Sequence, residues 1–187
     1  MRKVIATINM TLDGYCDHTA VTADDEIHQH YTELLRNSDT MLFGRITYQL
    51  MADYWPAVAK NPTGNKSDDD FAAVIDGLSK VVFSSTLKDP EWESARLAKR
   101  GLKEEVLALR QQPGKDILVG SRSLIIALMN LHLIDELQLT VHPVLAGKGL
   151  PLFENINDGM MLKLKKTKTF SAGALTFYYE QVKTSAS

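Results

Sequence analysis

The sequence predicts a three-layer α/β/α domain built on a mixed sheet, with a parallel core and a C-terminal antiparallel hairpin. Two observations carry this. Short apolar runs alternate with amphipathic runs of helical period over the first two thirds of the chain, which implies parallel strands with crossover helices. The last third switches to period-two alternation around Ser171-Ala-Gly173, which implies antiparallel edges joined by a tight turn.

Val4 to Met10 reads as the first strand, closed by the turn dipeptide Asp13-Gly14. Thr22 or Asp24 can cap a helix to about Asn37, with Ile27, Tyr31, Leu34 and Leu35 on one face. Thr40 to Phe43 is a buried strand ending at Gly44, and a second helix starts near Arg45. Asp53 to Asp70 holds Pro56, Pro62 and Gly64-Asn65 and reads as a long surface loop. Phe71 to Gly77 reads as the end of a short helix, and Lys80 to Phe83 as the third buried strand. Lys103 to Gln112 is a helix stopped by Pro113-Gly114. Ile117-Leu-Val-Gly120 is a strand that turns sharply into an apolar helix reaching about Leu131. Glu136 to His142 alternates as a half-buried strand, and Met161 to Phe170 and Ala174 to Val182 form the hairpin. Residues 1–182 are expected to be one domain, and 183–187 a loose tail.

The 187 residues are 44% hydrophobic and 24% charged, as in an ordinary globular chain long enough for a full core. A net charge of −2 argues against nucleic acid as a partner, which requires a basic surface. The single cysteine, Cys16, excludes an intramolecular disulfide and a cysteine metal cluster. No apolar run approaches the ~18 residues of a membrane span. The start lacks a signal-peptide stretch, so the cytoplasm is the expected location. His28 and His30 fall on different helix faces, so no metal site is expected. Gly147-Lys-Gly149 lacks the phosphate-loop pattern and reads as a hairpin or crossover turn.

In open α/β sheets the ligand crevice lies beyond the carboxyl ends of the parallel strands. Four segments converge there: Asn9 to Tyr15, Gly44 to Thr47, Ser84 to Thr86, and Gly120 to Leu124. Gly44 and Gly120 let a phosphate approach the backbone. Arg45 supplies a bidentate cation. Thr47, Ser84, Ser85, Ser121 and Ser123 supply hydroxyls. Together they are consistent with a phosphorylated nucleotide.

Leu42-Phe-Gly44-Arg45-Ile-Thr47-Tyr48 resembles the strand-to-helix segment of dihydrofolate reductases. Val81-Val-Phe-Ser84-Ser85 and Ile117-Leu-Val-Gly120-Ser121 resemble the segments that hold adenosine with its 2′-phosphate and the pyrophosphate. Asn9-Met-Thr-Leu-Asp13-Gly14-Tyr15 looks like the first strand and loop beside the nicotinamide. Leu133-Ile-Asp135-Glu136-Leu137 and His142-Pro143-Val-Leu-Ala-Gly147-Lys-Gly149-Leu-Pro151-Leu-Phe153 are similar to the C-terminal reductase domain of RibD. The resemblance covers nearly the whole chain in matching order and implies a dihydrofolate reductase-like fold. It implies hydride transfer from NADPH to a C=N or C=O of a flat heterocycle, with Arg45, Ser84 and Ser85 at the 2′-phosphate. Gly120, Ser121 and Arg122 would then hold the pyrophosphate, with Ser121 standing where the family usually has a second glycine. The implied carboxylate on the first helix falls near Glu26, and Asp13 is a second candidate, unless the proton comes from water. Asn9 would line the substrate. Trp55 would cover the heterocycle or anchor its loop to the core.

The implied substrate is 5-amino-6-(5-phosphoribosylamino)uracil of riboflavin biosynthesis. A pterin-type or other small substrate, and a non-catalytic nucleotide-binding module, stand as alternatives. RibD-like domains associate through their late strands, and the apolar segment 143–153 suggests a homodimer here.

Overall fold

The computed structural model describes residues 1–21 and 24–182; Thr22 and the expected tail at 183–187 lie outside the described residues. One eight-stranded sheet, in the order β4-β3-β2-β5-β1-β6-β8-β7, forms the middle layer. Its strands are β1 (Val4–Thr11), β2 (Ser38–Gly44), β3 (Ser79–Phe83), β4 (Ala95–Leu97), β5 (Asp116–Val119), β6 (Glu136–His142), β7 (Leu162–Thr169) and β8 (Leu175–Gln181). The pairs from β4 through β6 are parallel, while β8 runs antiparallel to both β6 and β7. The helices are α1 (Asp25–Arg36), α2 (Arg45–Ala52), α3 (Trp55–Lys60), α4 (Lys66–Gly77), α5 (Leu102–Gln111) and α6 (Arg122–Asn130).

The apolar strands are continuous because each feeds two cores. Val4, Ala6, Leu42, Ile117 and Val119 pack against α5 and α6 through Val106, Ile125 and Leu128. The alternate residues Ile5, Met41, Phe43 and Leu118 pack against the opposite helices through Leu35, Tyr48, Phe71 and Ile75. The three-layer expectation therefore holds, including the hairpin. There the Phe170 N–H donates to the Ala174 carbonyl, and Gly173 sits at φ 89°, a conformation that favours glycine.

Two expectations need correction, and one strand was not anticipated. The segment 53–70 is no long loop. It contains α3 and the first turn of α4, so the helix assigned from Phe71 begins at Lys66. Pro56 sits in the first turn of α3, where a missing N–H costs nothing, and the Asn65 side chain accepts from the N–H groups of Ser67 and Asp68 to cap α4. A three-residue edge strand, β4, extends the parallel sheet beyond β3. Strand β6 belongs to the parallel core: it pairs with β1 from Ile5↔Glu136 to Thr11↔His142 and is mostly buried on both faces.

Candidate active site

The carboxyl ends of β1, β2, β3 and β5 bring together the four segments singled out in the sequence. Their tightest link joins β2 to β5. The Gly44 N–H donates to the Ser121 hydroxyl at 2.8 Å, and Ser121 is buried. A Cβ at Gly44 would stand 3.3 Å from Ser123 Oγ and 3.7 Å from Ser121 Oγ. Gly44 is thus favoured by close approach and not by backbone angle, its φ being an ordinary −78°. Ser121, in the place of a second glycine, ties two crevice walls together.

This link sets the starts of α2 and α6 side by side. Neither helix has a side-chain cap. Among the described residues no acceptor meets the N–H groups of residues 45–47 or 122–124. Two positive helix ends with free donors, side by side at one sheet edge, suit an anion such as a pyrophosphate. At Gly120 an added Cβ would meet only the Thr7 carbonyl oxygen at 3.9 Å and a Met41 methyl at 4.0 Å. Nothing in the chain itself demands glycine there, and the space above it is open.

The other candidates divide into free and engaged groups. Arg45 is exposed at the α2 start and, among the described residues, its side chain bonds only to Gln49, at 2.9 Å. Ser85 is exposed, and Thr47 and Ser123 lie in the first turns of α2 and α6. Ser84 Oγ accepts from the N–H groups of Thr86 and Leu87, closing the turn after β3. Arg122 turns away from the shared helix starts: its Nε donates to the Pro151 carbonyl at 2.5 Å and its guanidinium pairs with Glu154 at 2.9 Å.

Both candidate carboxylates hold loops. Asp13 accepts from the Thr11 hydroxyl and from the N–H groups of Ala146 and Gly147. These bonds, the Thr11 hydroxyl foremost, hold its pKa down to about 2. Asp13 therefore clasps the loop after β1 to the loop after β6. Glu26 accepts from the Ser171 hydroxyl at 2.6 Å and the Ser171 N–H at 2.8 Å, pinning α1 to the β7–β8 turn; the hydroxyl bond leads in lowering its pKa. Trp55 packs 4.5 Å from the Phe71 ring and 6.2 Å from His28, anchoring α3 to α4 and α1.

The sequence points to Asn9 but not to the polar group it forms with Tyr31 and His142 between β1, β6 and α1. Asn9 Oδ1 accepts from the Tyr31 hydroxyl at 3.0 Å and faces His142 Nε2 at 3.0 Å. The Tyr31 hydroxyl also lies 3.3 Å from Thr140 Oγ1, which is bonded to Thr176 Oγ1 at 2.7 Å. Burial pushes the Tyr31 pKa up and the His142 pKa down, so at neutral pH the one is a hydroxyl and the other an uncharged ring. The only hint in the sequence is polar residues at alternate positions of two apolar strands: Thr7, Asn9 and Thr11 on β1, Gln138, Thr140 and His142 on β6.

Two hollows lie elsewhere. One of 660 Å³ lies between α2, α3, the end of α4 and residues 87–94; another of 580 Å³ lies between α1 and α4. The first is lined by Asp53, Asp76, Asp89, Glu91 and Glu93 against a single lysine, Lys60, which disfavours phosphate. The sheet edge, open but rich in unpaired donors, is the better anion site.

The architecture and this crevice define a dihydrofolate reductase-like α/β protein. The chain belongs to the RibD C-terminal domain family, whose pattern matches residues 2–176. It is 34% identical over 182 residues to the uncharacterized protein YyaP of Bacillus subtilis, covering 95% of this chain and 94% of that protein. Among solved structures, a pyrimidine reductase-like protein from Corynebacterium diphtheriae superposes with a TM-score of 0.67 at 14% identity, covering 98% of this chain and 93% of the other. Acinetobacter baumannii RibD gives 0.69 at 15%, covering 98% of this chain and 59% of RibD. Enterococcus faecalis dihydrofolate reductase, complexed with NADP(H), gives 0.63 at 14%, covering 96% of each. At these identities the solved structures show the fold. Among the described residues no helix is long and apolar enough to cross a membrane, and no cluster of three metal-binding side chains occurs.

Proposed function

We propose that this protein is an NADPH-dependent reductase of a pyrimidine- or pterin-type heterocycle, acting as a single domain over residues 1–182. The observation that carries this reading is the pair of uncapped helix starts joined through Gly44 and Ser121. Membership of the RibD C-terminal domain family supports a reductase of riboflavin-pathway type. The likeness to a reductase bound to NADP(H) supports the cofactor.

The residues fit the cofactor as follows. The first-turn N–H groups of α2 and α6 hold the pyrophosphate, with Gly120 leaving room for it. Arg45 meets the 2′-phosphate, with the Ser85 hydroxyl beside it, because a guanidinium matches a phosphate dianion. NADPH, when bound, supplies a hydride to a C=N or C=O of the substrate. The accompanying proton comes from water, since Asp13 is held ionised and Glu26 is tied to Ser171.

The substrate implied by the family is 5-amino-6-(5-phosphoribosylamino)uracil. A heterocycle without a phosphate is the second reading. It is favoured by the engagement of Arg122 with Pro151 and Glu154, which takes a cation away from any second phosphate. We place the protein in the cytoplasm as a homodimer, without nucleic-acid or membrane partners. Titration of the protein with NADPH and NADH tests the core of this reading. Arg45→Ala is expected to weaken NADPH by about 10- to 100-fold and NADH by little, one charge-assisted contact being at stake. No NADPH binding by the parent protein overturns the proposal, and equal loss for both nucleotides removes Arg45 from the 2′-phosphate.

A further inference from the structure

Asn9 sits where the crevice at the carboxyl edge of the sheet meets the α1 side. Gly120 lies against the Thr7 carbonyl, and Asn9 is two residues, about 6.6 Å, further toward the carboxyl edge of the same strand. Strand β1 alternates faces, so Thr7 and Asn9 share the side of Ile5, which packs toward Leu35 of α1. On that side the Tyr31 hydroxyl donates to Asn9 Oδ1 from α1, and His142 Nε2 approaches the same oxygen from β6.

This arrangement leaves the amide asymmetric. Its oxygen has two donors and no capacity left for a ligand. Its Nδ2 has no partner among the described residues, yet it is not one of the polar atoms sealed from solvent. Asn9 is half-buried, so the free NH2 group is presented from a fixed position and not from a mobile surface chain. The Tyr31 hydroxyl lies closer to Asn9 Oδ1, at 3.0 Å, than to Thr140 Oγ1, at 3.3 Å, and Thr140 is itself bonded to Thr176. The burial of His142 keeps its ring uncharged near neutral pH, which leaves one N–H for the Asn9 oxygen.

We propose that Asn9 is the specificity-determining residue of the reductase site, a donor-only group that selects a heterocycle presenting an exocyclic carbonyl oxygen over one presenting an amino group at the same position. Tyr31 and His142 are positioning residues that lock the amide in this orientation. The inference rests on the reductase reading above and narrows its substrate. A uracil-like lactam edge offers the acceptor that Asn9 requires. A diaminopyrimidine edge offers N–H donors, which would face an NH2 group and leave both unpaired. The presented edge therefore favours the pyrimidinedione over an edge made of amino groups.

The test is calorimetric titration of the full chain with 5-aminouracil and with 2,4-diaminopyrimidine, each with and without saturating NADPH. The parent protein is expected to favour 5-aminouracil by about tenfold, one hydrogen bond to a half-buried donor being at stake. Asn9→Leu should lose about 10- to 100-fold in that affinity while keeping NADPH affinity within about twofold. Asn9→Asp keeps an acceptor for Tyr31 and His142 but presents an oxygen to the ligand, so it should reverse the preference. Tyr31→Phe should erode the ratio of the two affinities more than the melting temperature, because it frees the amide to flip. Equal binding of the two rings, an unchanged ratio in Asn9→Asp, or no binding of either ring to a protein that binds NADPH overturns the proposal and leaves the nucleotide site standing. Failure of the parent protein to bind NADPH defeats the reductase reading instead.

Discussion

Ser121 illustrates how a single side chain can be read in two ways until its partner is known. In sequence it stands where a glycine is expected, adding a Cβ at a place where backbone should touch a ligand. In the fold its hydroxyl is buried and receives the Gly44 N–H. Residues 44 and 121 are far apart in sequence, so no local pattern announces the bond. Ser121→Ala leaves the Gly44 N–H without its partner and is expected to destabilise the protein by about 1–3 kcal/mol. The urea midpoint measures this, and an unchanged midpoint would show that water replaces the hydroxyl at no loss. Asn9 was legible as a residue facing the substrate, but its tie to Tyr31 and His142 was hidden for the same reason: residues from two strands and a helix become a unit only through the β1–β6 register.

At the scale of elements, most strands and helices were legible because each has one clear apolar period. The failures share a cause. Pro56, Gly64 and Asn65 signal breaks, and the sequence alone does not say whether a break is a loop or the start of a helix. Here they start α3 and α4, and contact of Trp55 with Phe71 holds the two helices together. Lys80 is another element-scale device, disguised as a charge in a buried strand. It is fully buried, and its ammonium donates to the carbonyls of Ile75 and Leu78 and to Ser94 Oγ, 3.9 Å above the Trp92 ring. It thereby caps the end of α4 and fastens the 92–94 segment, although burial lowers its pKa to about 8. Lys80→Met should destabilise by about 2–4 kcal/mol because it strands buried carbonyls. Thermal or urea denaturation reads this directly, and a neutral result would mean that α4 needs no such cap.

On the scale of the whole molecule, two cores share one sheet, and the α1 core includes an unusual member. His30 packs against Tyr31, Phe170 and Tyr178, and its Nε2 is buried without a partner among the described residues. Burial, helped by the Lys168 charge, lowers its pKa to about 4. The unfolded chain takes up the proton near 6.5 and the folded chain only near 4, so stability should fall as pH drops through that window. The full loss is about 3 kcal/mol. His142, lowered in the same direction, adds to this acid-side loss. His30→Phe should flatten the profile of unfolding free energy between pH 6.5 and 4, and an unaltered slope would assign the loss elsewhere. The surface carries a second whole-molecule prediction. Leu145 is 72% and Phe153 45% exposed, with Val144 and Leu150 beside them in the segment after β6. Sedimentation equilibrium should give twice the chain mass, and Leu145→Glu should shift it toward the monomer.

The two helix starts at the sheet edge have a consequence for the life of the protein in the cell. A helix without a cap frays at its first turn, and an anion seated on both starts completes them as a side chain would. If the nucleotide takes that seat, it becomes part of the fold as well as a reagent. Its concentration then sets the folded fraction by mass action, with about 2.7 kcal/mol gained at a hundredfold excess over the dissociation constant. A cell short of reducing nucleotide would hold this chain in a looser form, more open to proteolysis, so the enzyme's abundance would follow the supply of its own reductant.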